Sequence, residues 1–484
     1  MGNKDRKHSV IVMVTECFLA FGHCAVKWGL RGRGKCSILL SEKKGRNEVI
    51  SMDVNYKNPK YYNTAKLPIR QPMVITGLMA LLSRAALIGK QYRIEKINME
   101  GLKPPYMLLS NHMYFIDFEL SAIATFPHRV NNVATIDGYY RRPFLMEWIG
   151  CICKRKFTTD LHLVKSIRHV LREKRDVLCM YPEARYSPVG TTAILPDSLG
   201  KLVKQNKVPV VVLLHHGNYL HTPFWNYRKP RKCPLYTTMT QILTAEQVES
   251  MTADEINAAI RTAMEYDEYR WQREQGIRIT ESYRAEGLHK VLYQCPACGK
   301  EHRMDSEGAQ IFCRECGKRW EMDELGVLHA KSGETEFPHI PDWYEWQRAN
   351  VRAEIERGDY RFEDQVEVYS LPRAWRFEKL GMAKLSHDPE NGFVLEGEYR
   401  GAPYRVERSP LGMYGVHIEY DYCYLRPEDC IDISTDKDSF YCYPTRENVV
   451  TKLSLATEES YRLQMARRAA EKKARRARRA AGTE

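Results

Sequence analysis

From residue 106 to residue 216, short apolar runs of strand length alternate with stretches that carry a helical period. YMLLS (106–110), VNNVATI (130–136), DVLCMY (176–181) and VPVVVLLHH (208–216) have the length and β-branched content of strands. FELSAIATF (118–126) and SLGKLVKQ (198–205) read as helices. Between them, Leu163, Val164, Ile167, Val170 and Leu171 fall on one face of an amphipathic helix. Strands that alternate with helices fold as α/β, with a largely parallel sheet flanked by helices. A run as apolar as 208–216 belongs in the middle of such a sheet.

The rest of the chain follows other patterns. Its 484 residues exceed one ordinary domain. With 43% hydrophobic and 28% charged residues it has the material for a core, which excludes an intrinsically disordered chain. Residues 1–51 carry little pattern and read as a poorly defined N-terminal extension. Within them, 9–22 is short and contains Glu16, below the ~20 apolar residues a spanning helix needs. PMVITGLMALLSRAALIG (72–89) has Arg84 as its only charge and suits a core helix or one lying in a leaflet. We therefore assign 52–100 as a membrane-associating helical element and 101–245 as the α/β domain. Residues 246–330 form a helical segment, opened by a capping box at Thr252 and Glu255. Residues 331–456 are β-rich, with hairpins at 392–407 and 431–444, and 457–484 form a basic helical tail.

Two polar clusters follow predicted strands. In LLSNHMYFID, His112 and Asp117 are five apart, about 140° around an ideal helix, so they meet only if the chain turns between strand and helix. An aspartate at 117 is also a good N-cap for that helix. A carboxylate on one imidazole nitrogen leaves the other as a base. No serine or cysteine nucleophile stands beside the pair, so the nucleophile is expected to be a substrate hydroxyl. The second cluster, PEARYS (182–187), follows DVLCMY. The carboxyl ends of strands are where open α/β sheets bind ligands.

NHMYFID matches the NHx4D signature of the glycerolipid acyltransferases, and the chain resembles that family in three further blocks. RRPFLMEWIGCICKRKF (141–157), YPEARYS and KVPVVVLLHHGN follow in the family's order. The resemblance spans roughly residues 104–245. It implies that His112 is the general base and that Asp117 orients it. It implies that Glu183, Arg185 and basic residues of the 154–156 cluster, Arg155 and Lys156 among them, organise the acceptor's phosphate. The family has glycine, threonine and arginine after the glutamate; this chain has Ala184, Arg185 and Tyr186, so its arginine stands one position early. The implied activity is 1-acylglycerol-3-phosphate O-acyltransferase-like. A fatty acyl chain would move from acyl-CoA, acyl carrier protein or acyl phosphate to the free hydroxyl of lysophosphatidate, giving phosphatidate. Glycerol-3-phosphate or another lysophospholipid remains open as acceptor.

Cys295, Cys298, Cys313 and Cys316 give C-x2-C-x14-C-x2-C, the spacing of a closed tetrahedral site. Each pair is followed by Gly-Lys, which allows a tight turn with backbone amides facing sulfur. Structural Zn2+ is the expected metal, in a zinc ribbon at 291–320, with iron the alternative. The other ten of 14 cysteines are scattered, which suits a reducing compartment rather than a disulfide framework. A formal charge of +13 favours an anionic partner. The tail, with its lysines and arginines spaced by alanine from Arg462 on, suits an anionic membrane surface. Nucleic acid is disfavoured, because no aromatics accompany the tail. A ribbon-and-tail nucleic-acid binder is the non-enzymatic rival. The expected partners are thus a lysophospholipid and an anionic membrane, with acyl carrier protein if it is the donor. The expected location is the cytoplasmic face of the cell membrane, peripheral or monotopic.

Overall fold

The computed structural model describes residues 63, 65–422 and 425–480, so the extension assigned to 1–51 lies outside the described residues. Seven strands, β1 (Tyr92–Ile97), β2 (Met107–Ser110), β3 (Val130–Thr135), β4 (Ile152–Lys154), β5 (Val177–Met180), β6 (Val210–His216) and β7 (Leu235–Leu243), form one sheet. Their order is β1-β7-β6-β2-β5-β3-β4. From β6 to β4 every neighbouring pair is parallel. β7 runs antiparallel to β6, and β1 pairs with β7. The sheet is therefore mixed and largely parallel, flanked by helices.

The core explains the strand sequences. Met107, Leu109, Leu178, Val210 and Val212 are buried together with Ile167 and Val170. Helix α1 (Met73–Ala86) lies against α2 (Ile116–Thr125). α1 buries Ile75, Met79, Ala80 and Ser83, and leaves Val74 79% and Leu81 63% exposed. It is followed by β1, so 92–97 is a sheet edge and not part of a helical membrane element. Arg93, Glu95 and Lys96 break any apolar helical face there. Among the described residues, no helix is long and apolar enough to cross a membrane.

α3 (Pro143–Trp148), α4 (Leu161–Arg168) and α5 (Ser198–Asn206) complete the domain. Asp160 caps α4 by accepting from the amides of His162 and Leu163. α6 (Ala245–Ser250) and α7 (Ala253–Ala263) each begin with a capping box, at Thr244/Gln247 and at Thr252/Glu255. The short α8 (Glu268–Glu274) returns Glu268 to the sheet.

A four-stranded ribbon follows: β8 (Met304–Glu307), β9 (Gln310–Cys313), β10 (Arg319–Met322) and β11 (Leu328–Ala330). Helix α9 (Ile340–Arg357) seals it, with Trp343 donating to the Gln294 carbonyl and packing edge-on against Trp320. A second, antiparallel sheet, β12 (Phe362–Ser370), β13 (Glu378–Asp388), β14 (Gly392–Tyr399), β15 (Ala402–Arg408), β16 (His417–Glu419), β17 (Cys430–Ser434) and β18 (Ser439–Pro444), contains both expected hairpins.

The last helix, α10 (Val450–Ala480), begins seven residues before the expected tail. Thr457, Glu458, Glu459 and Ser460 are buried. Glu458 pairs with Arg185 and Arg348, and Glu459 with Arg352 at 2.7 Å. Glu458 and Glu459, with Lys452 on Glu301, thus dock the first turns on the body. Arg462 is exposed but paired with Glu459, and the exposed basic run begins at Arg467.

Candidate functional site

β2 ends at Ser110 and α2 begins at Ile116, and the turn between them brings the predicted dyad together. His112 Nδ1 lies 2.9 Å from Asp117 Oδ2. The same oxygen accepts from the amides of Met113 (2.6 Å) and Tyr114 (3.1 Å), and Oδ1 accepts from Asn218 Nδ2 at 2.6 Å. Asp117 is not the N-cap: Phe115 holds that position, and the carboxylate in the first helical turn reaches back to the preceding amides. Burial alone would raise its pKa. The His112 hydrogen bond, the neighbouring imidazoles and the Asn218 amide outweigh burial and hold it below the usual carboxylate range.

Asn111 ties the turn to β6. Its side chain accepts from the His215 amide and donates to the His215 carbonyl. Gly217 then turns the chain at φ +81°, where a Cβ would meet the Pro234 carbonyl oxygen at 2.1 Å. That turn delivers Asn218 to Asp117. Glu268 accepts from the Gly217 amide at 2.7 Å and from His216 Nδ1 at 2.9 Å. His215 is fully buried on Thr237; burial pushes its pKa down to about 4, so it stands neutral behind the dyad.

His112 is held between Tyr181, stacked at 4.0 Å between centroids, and Tyr186, tilted at 4.4 Å. It lines a cavity of about 890 Å3. Apolar side chains, Met79, Phe118, Leu145, Met146, Val164 and Ile167 among them, make much of the wall. Tyr414, His417, Glu419 and Tyr422 close one side from the C-terminal sheet region.

The implied phosphate residues are placed differently. Arg155 does not line the cavity. Its guanidinium is buried against the C-terminal sheet, donating to the Leu371 and Pro372 carbonyls and to Ser439 Oγ. Lys156 lines the cavity but sits among Asp137 (3.3 Å), Asp432 (3.7 Å) and Glu419 (3.8 Å). Arg185 lines it too, bound to Glu458 and to Ser454 Oγ. Lys154 donates to the Thr158 side chain, and burial lowers its pKa to about 8.

Glu183 is 1% exposed and does not line the cavity, accepting from the Ala193 amide at 2.9 Å and from the Tyr266 hydroxyl. Burial pushes its carboxyl up to about 7 against the opposing Ala193 amide and Arg185 charge. The folded state therefore holds this proton to higher pH than the unfolded chain. Stability is expected to fall as pH rises from about 4.5 to about 7, by on the order of 3 kcal/mol. Denaturation of Glu183→Gln across that window checks this: the variant should flatten the slope, and an unchanged slope contradicts it.

The four cysteines converge as their spacing predicts. Their sulfurs lie within 4.8 Å of one another, with Cys295–Cys316 and Cys298–Cys313 both at 3.8 Å. A tetrahedron with Zn–S bonds of about 2.3 Å has edges of about 3.8 Å, so the set fits zinc. Gly299 and Gly317 both turn at φ +74°, and the Cys295 and Cys313 amides close matching knuckles on Lys300 and Lys318. All four ligands are thiols, which leaves no position for substrate. The described free cysteines form no disulfide.

Sequence reasoning missed Asn218, Tyr181, Tyr186 and the wall from the C-terminal sheet region. Asn218 had a signal, the Gly-Asn ending KVPVVVLLHHGN. Tyr181 and Tyr186 stand in the YPEARYS block, but nothing in it tells of their packing on His112, and the wall had no signal because it comes from chain far away in sequence.

A zinc-ribbon family model, described as DNA directed RNA polymerase, 7 kDa subunit, matches residues 288–320. No protein of curated function matches the chain. Among solved structures, the 1-acyl-sn-glycerophosphate (LPA) acyltransferase PlsC from Thermotoga maritima aligns with a TM-score of 0.31 and 13% identity. That alignment covers 39% of this chain and 78% of the other.

Proposed function

We propose that the chain is an acyltransferase that esterifies a hydroxyl of a membrane-borne acceptor, using His112 as general base. The observation that carries this reading is the His112–Asp117 pair at 2.9 Å, its carboxylate fully buried, at the wall of a cavity of about 890 Å3. With Nδ1–H bound to Asp117, Nε2 is left as the proton acceptor. The acceptor hydroxyl gives its proton to Nε2 as its oxygen attacks the acyl carbonyl. The tetrahedral intermediate then collapses, the C–S bond of a thioester (or the C–O bond of an acyl phosphate) breaks, and the imidazolium returns the proton to the leaving group. Asp117 balances the charge of the imidazolium while it lasts.

The donor is acyl-CoA, acyl carrier protein or acyl phosphate, and the apolar wall is the seat for the acyl chain. The reading is tested by thiol release from acyl-CoA. Release is expected only when a lipid hydroxyl is supplied, and acceptor-independent release contradicts the reading. Lysophosphatidate is the acceptor that the sequence motifs imply. The cations expected to bind its phosphate are, however, engaged within the protein.

Membrane contact is part of the same reading. Val74, Leu81 and Ile88 on and just after α1, with Phe144, Trp148, Leu161 and Val164, are exposed apolar side chains. Leu161 and Val164 also line the cavity, so its mouth has an apolar rim. Burying one such side chain is worth about 1.5–3 kcal/mol. Serine at 74, 81 and 88 together is expected to lower binding to anionic vesicles by at least about tenfold, read by sedimentation. Unchanged binding would place the membrane contact elsewhere. The basic run of α10 supplies a second, salt-sensitive attachment to the cytoplasmic leaflet.

A further inference from the structure

One polar side of the cavity gathers carboxylates. Asp137 and Lys156 come from the α/β domain and Glu419 and His417 from β16, while Asp432 of β17 lies behind Lys156, outside the lining. One lysine is surrounded by three carboxylates, and His417 Nε2 is bound to Glu419 at 2.7 Å. His417 lines the cavity and is 2% exposed, yet its Nδ1 is buried without a hydrogen-bond partner. A buried ring nitrogen left open beside a cavity calls for a polar group from a ligand.

This wall and the dyad face the same space. Tyr186 packs on His112, and burial, Tyr114 and the charges of Glu419, Asp117 and Asp137 together raise its phenol. A phosphate dianion placed at this side would meet carboxylates; of the lining cations Lys156 and Arg185 are paired with carboxylates, Lys154 is held on Thr158 by the α/β domain, and Lys201 is exposed at the edge. An ammonium group would sit against Lys156. Hydroxyls suit the wall best, because they donate to Glu419 and accept from or donate to His417.

Resting on the acyltransferase reading, we infer that the acceptor carries an uncharged, hydroxyl-bearing headgroup, seated on Glu419 and His417, in place of a phosphate monoester. The C-terminal sheet is then the specificity element of the enzyme.

Binding without a donor tests this separately from turnover. Short-chain 1-monoacylglycerol and the lysophosphatidate of the same chain length would each be titrated calorimetrically into the full-length zinc-loaded protein. Wild type is expected to bind the monoacylglycerol at least tenfold more tightly. Glu419→Gln, which keeps shape and removes charge, should narrow that ratio while its melting temperature is followed as a check on folding. Tighter binding of lysophosphatidate by wild type, or binding of neither, overturns the inference. If lysophosphatidate is bound and acylated, the inference falls and the general-base reading stands. A variant that unfolds leaves the wild-type ratio as the deciding result.

Discussion

Replacing His112 by alanine is expected to lower acyl transfer by about 10²–10⁴-fold, the usual worth of a positioned general base. The loss should fall on kcat, because a general base at His112 would act on the hydroxyl proton in the transition state and contribute little to holding an acyl chain. The fold should survive. His112 is partly exposed, and its backbone carbonyl, which accepts from the Ser187 amide at 2.9 Å, is untouched by the substitution. Asp117 keeps three donors, from Met113, Tyr114 and Asn218. A melting temperature close to wild type alongside the lost activity is therefore the predicted pair of results. Retained activity would remove His112 from the mechanism.

Removing the metal is expected to have the largest effect on stability. Structural zinc contributes about 10–16 kcal/mol in isolated fingers, and ribbons of this kind lack a self-sufficient core. Here the ribbon shares the main apolar cluster: Cys295, Cys313, Trp320 and Met304 are buried with Trp225 and Trp343. It also joins the parts of the chain, with Lys452 bound to Glu301 and Arg284 to the Met322 carbonyl. Losing it should unseat α9 and α10 as well. We expect one zinc per chain by elemental analysis, lost in Cys313→Ser, with a fall of more than about 10 °C in melting temperature on chelation. Metal-free protein that melts like wild type would contradict this.

Much of this was legible from sequence because the signals were local. The runs at 106–110, 176–181 and 208–216 are buried strands because β-branched and aliphatic residues leave no polar face. The cysteine spacing and Gly-Lys turns fix the ribbon within a few residues. His112 and Asp117 lie on one turn, so their meeting was decided by where a strand stops and a helix starts. What could not be read depended on distant chain. Residues 92–97 became a strand by pairing with 235–240, far along the sequence. Arg155 and Arg185 are cations that the resemblance would turn toward a phosphate, but the C-terminal sheet and helix engage them, and no local pattern announces that. The basic tail hid Glu458 and Glu459, whose burial depends on Arg185, Arg348 and Arg352. The acidic side of the cavity is assembled from residues as far apart as Asp137 and Glu419.

The most direct measurement is of the product itself. Purified wild-type and His112→Ala protein would be given acyl-CoA, acyl carrier protein thioester and acyl phosphate in turn, each with vesicles containing lipid hydroxyl acceptors, and new esters read by mass spectrometry. The account predicts that at least one pairing yields an acyl ester with wild type and essentially none with the variant. No ester from any pairing, or equal ester from both proteins, would contradict it.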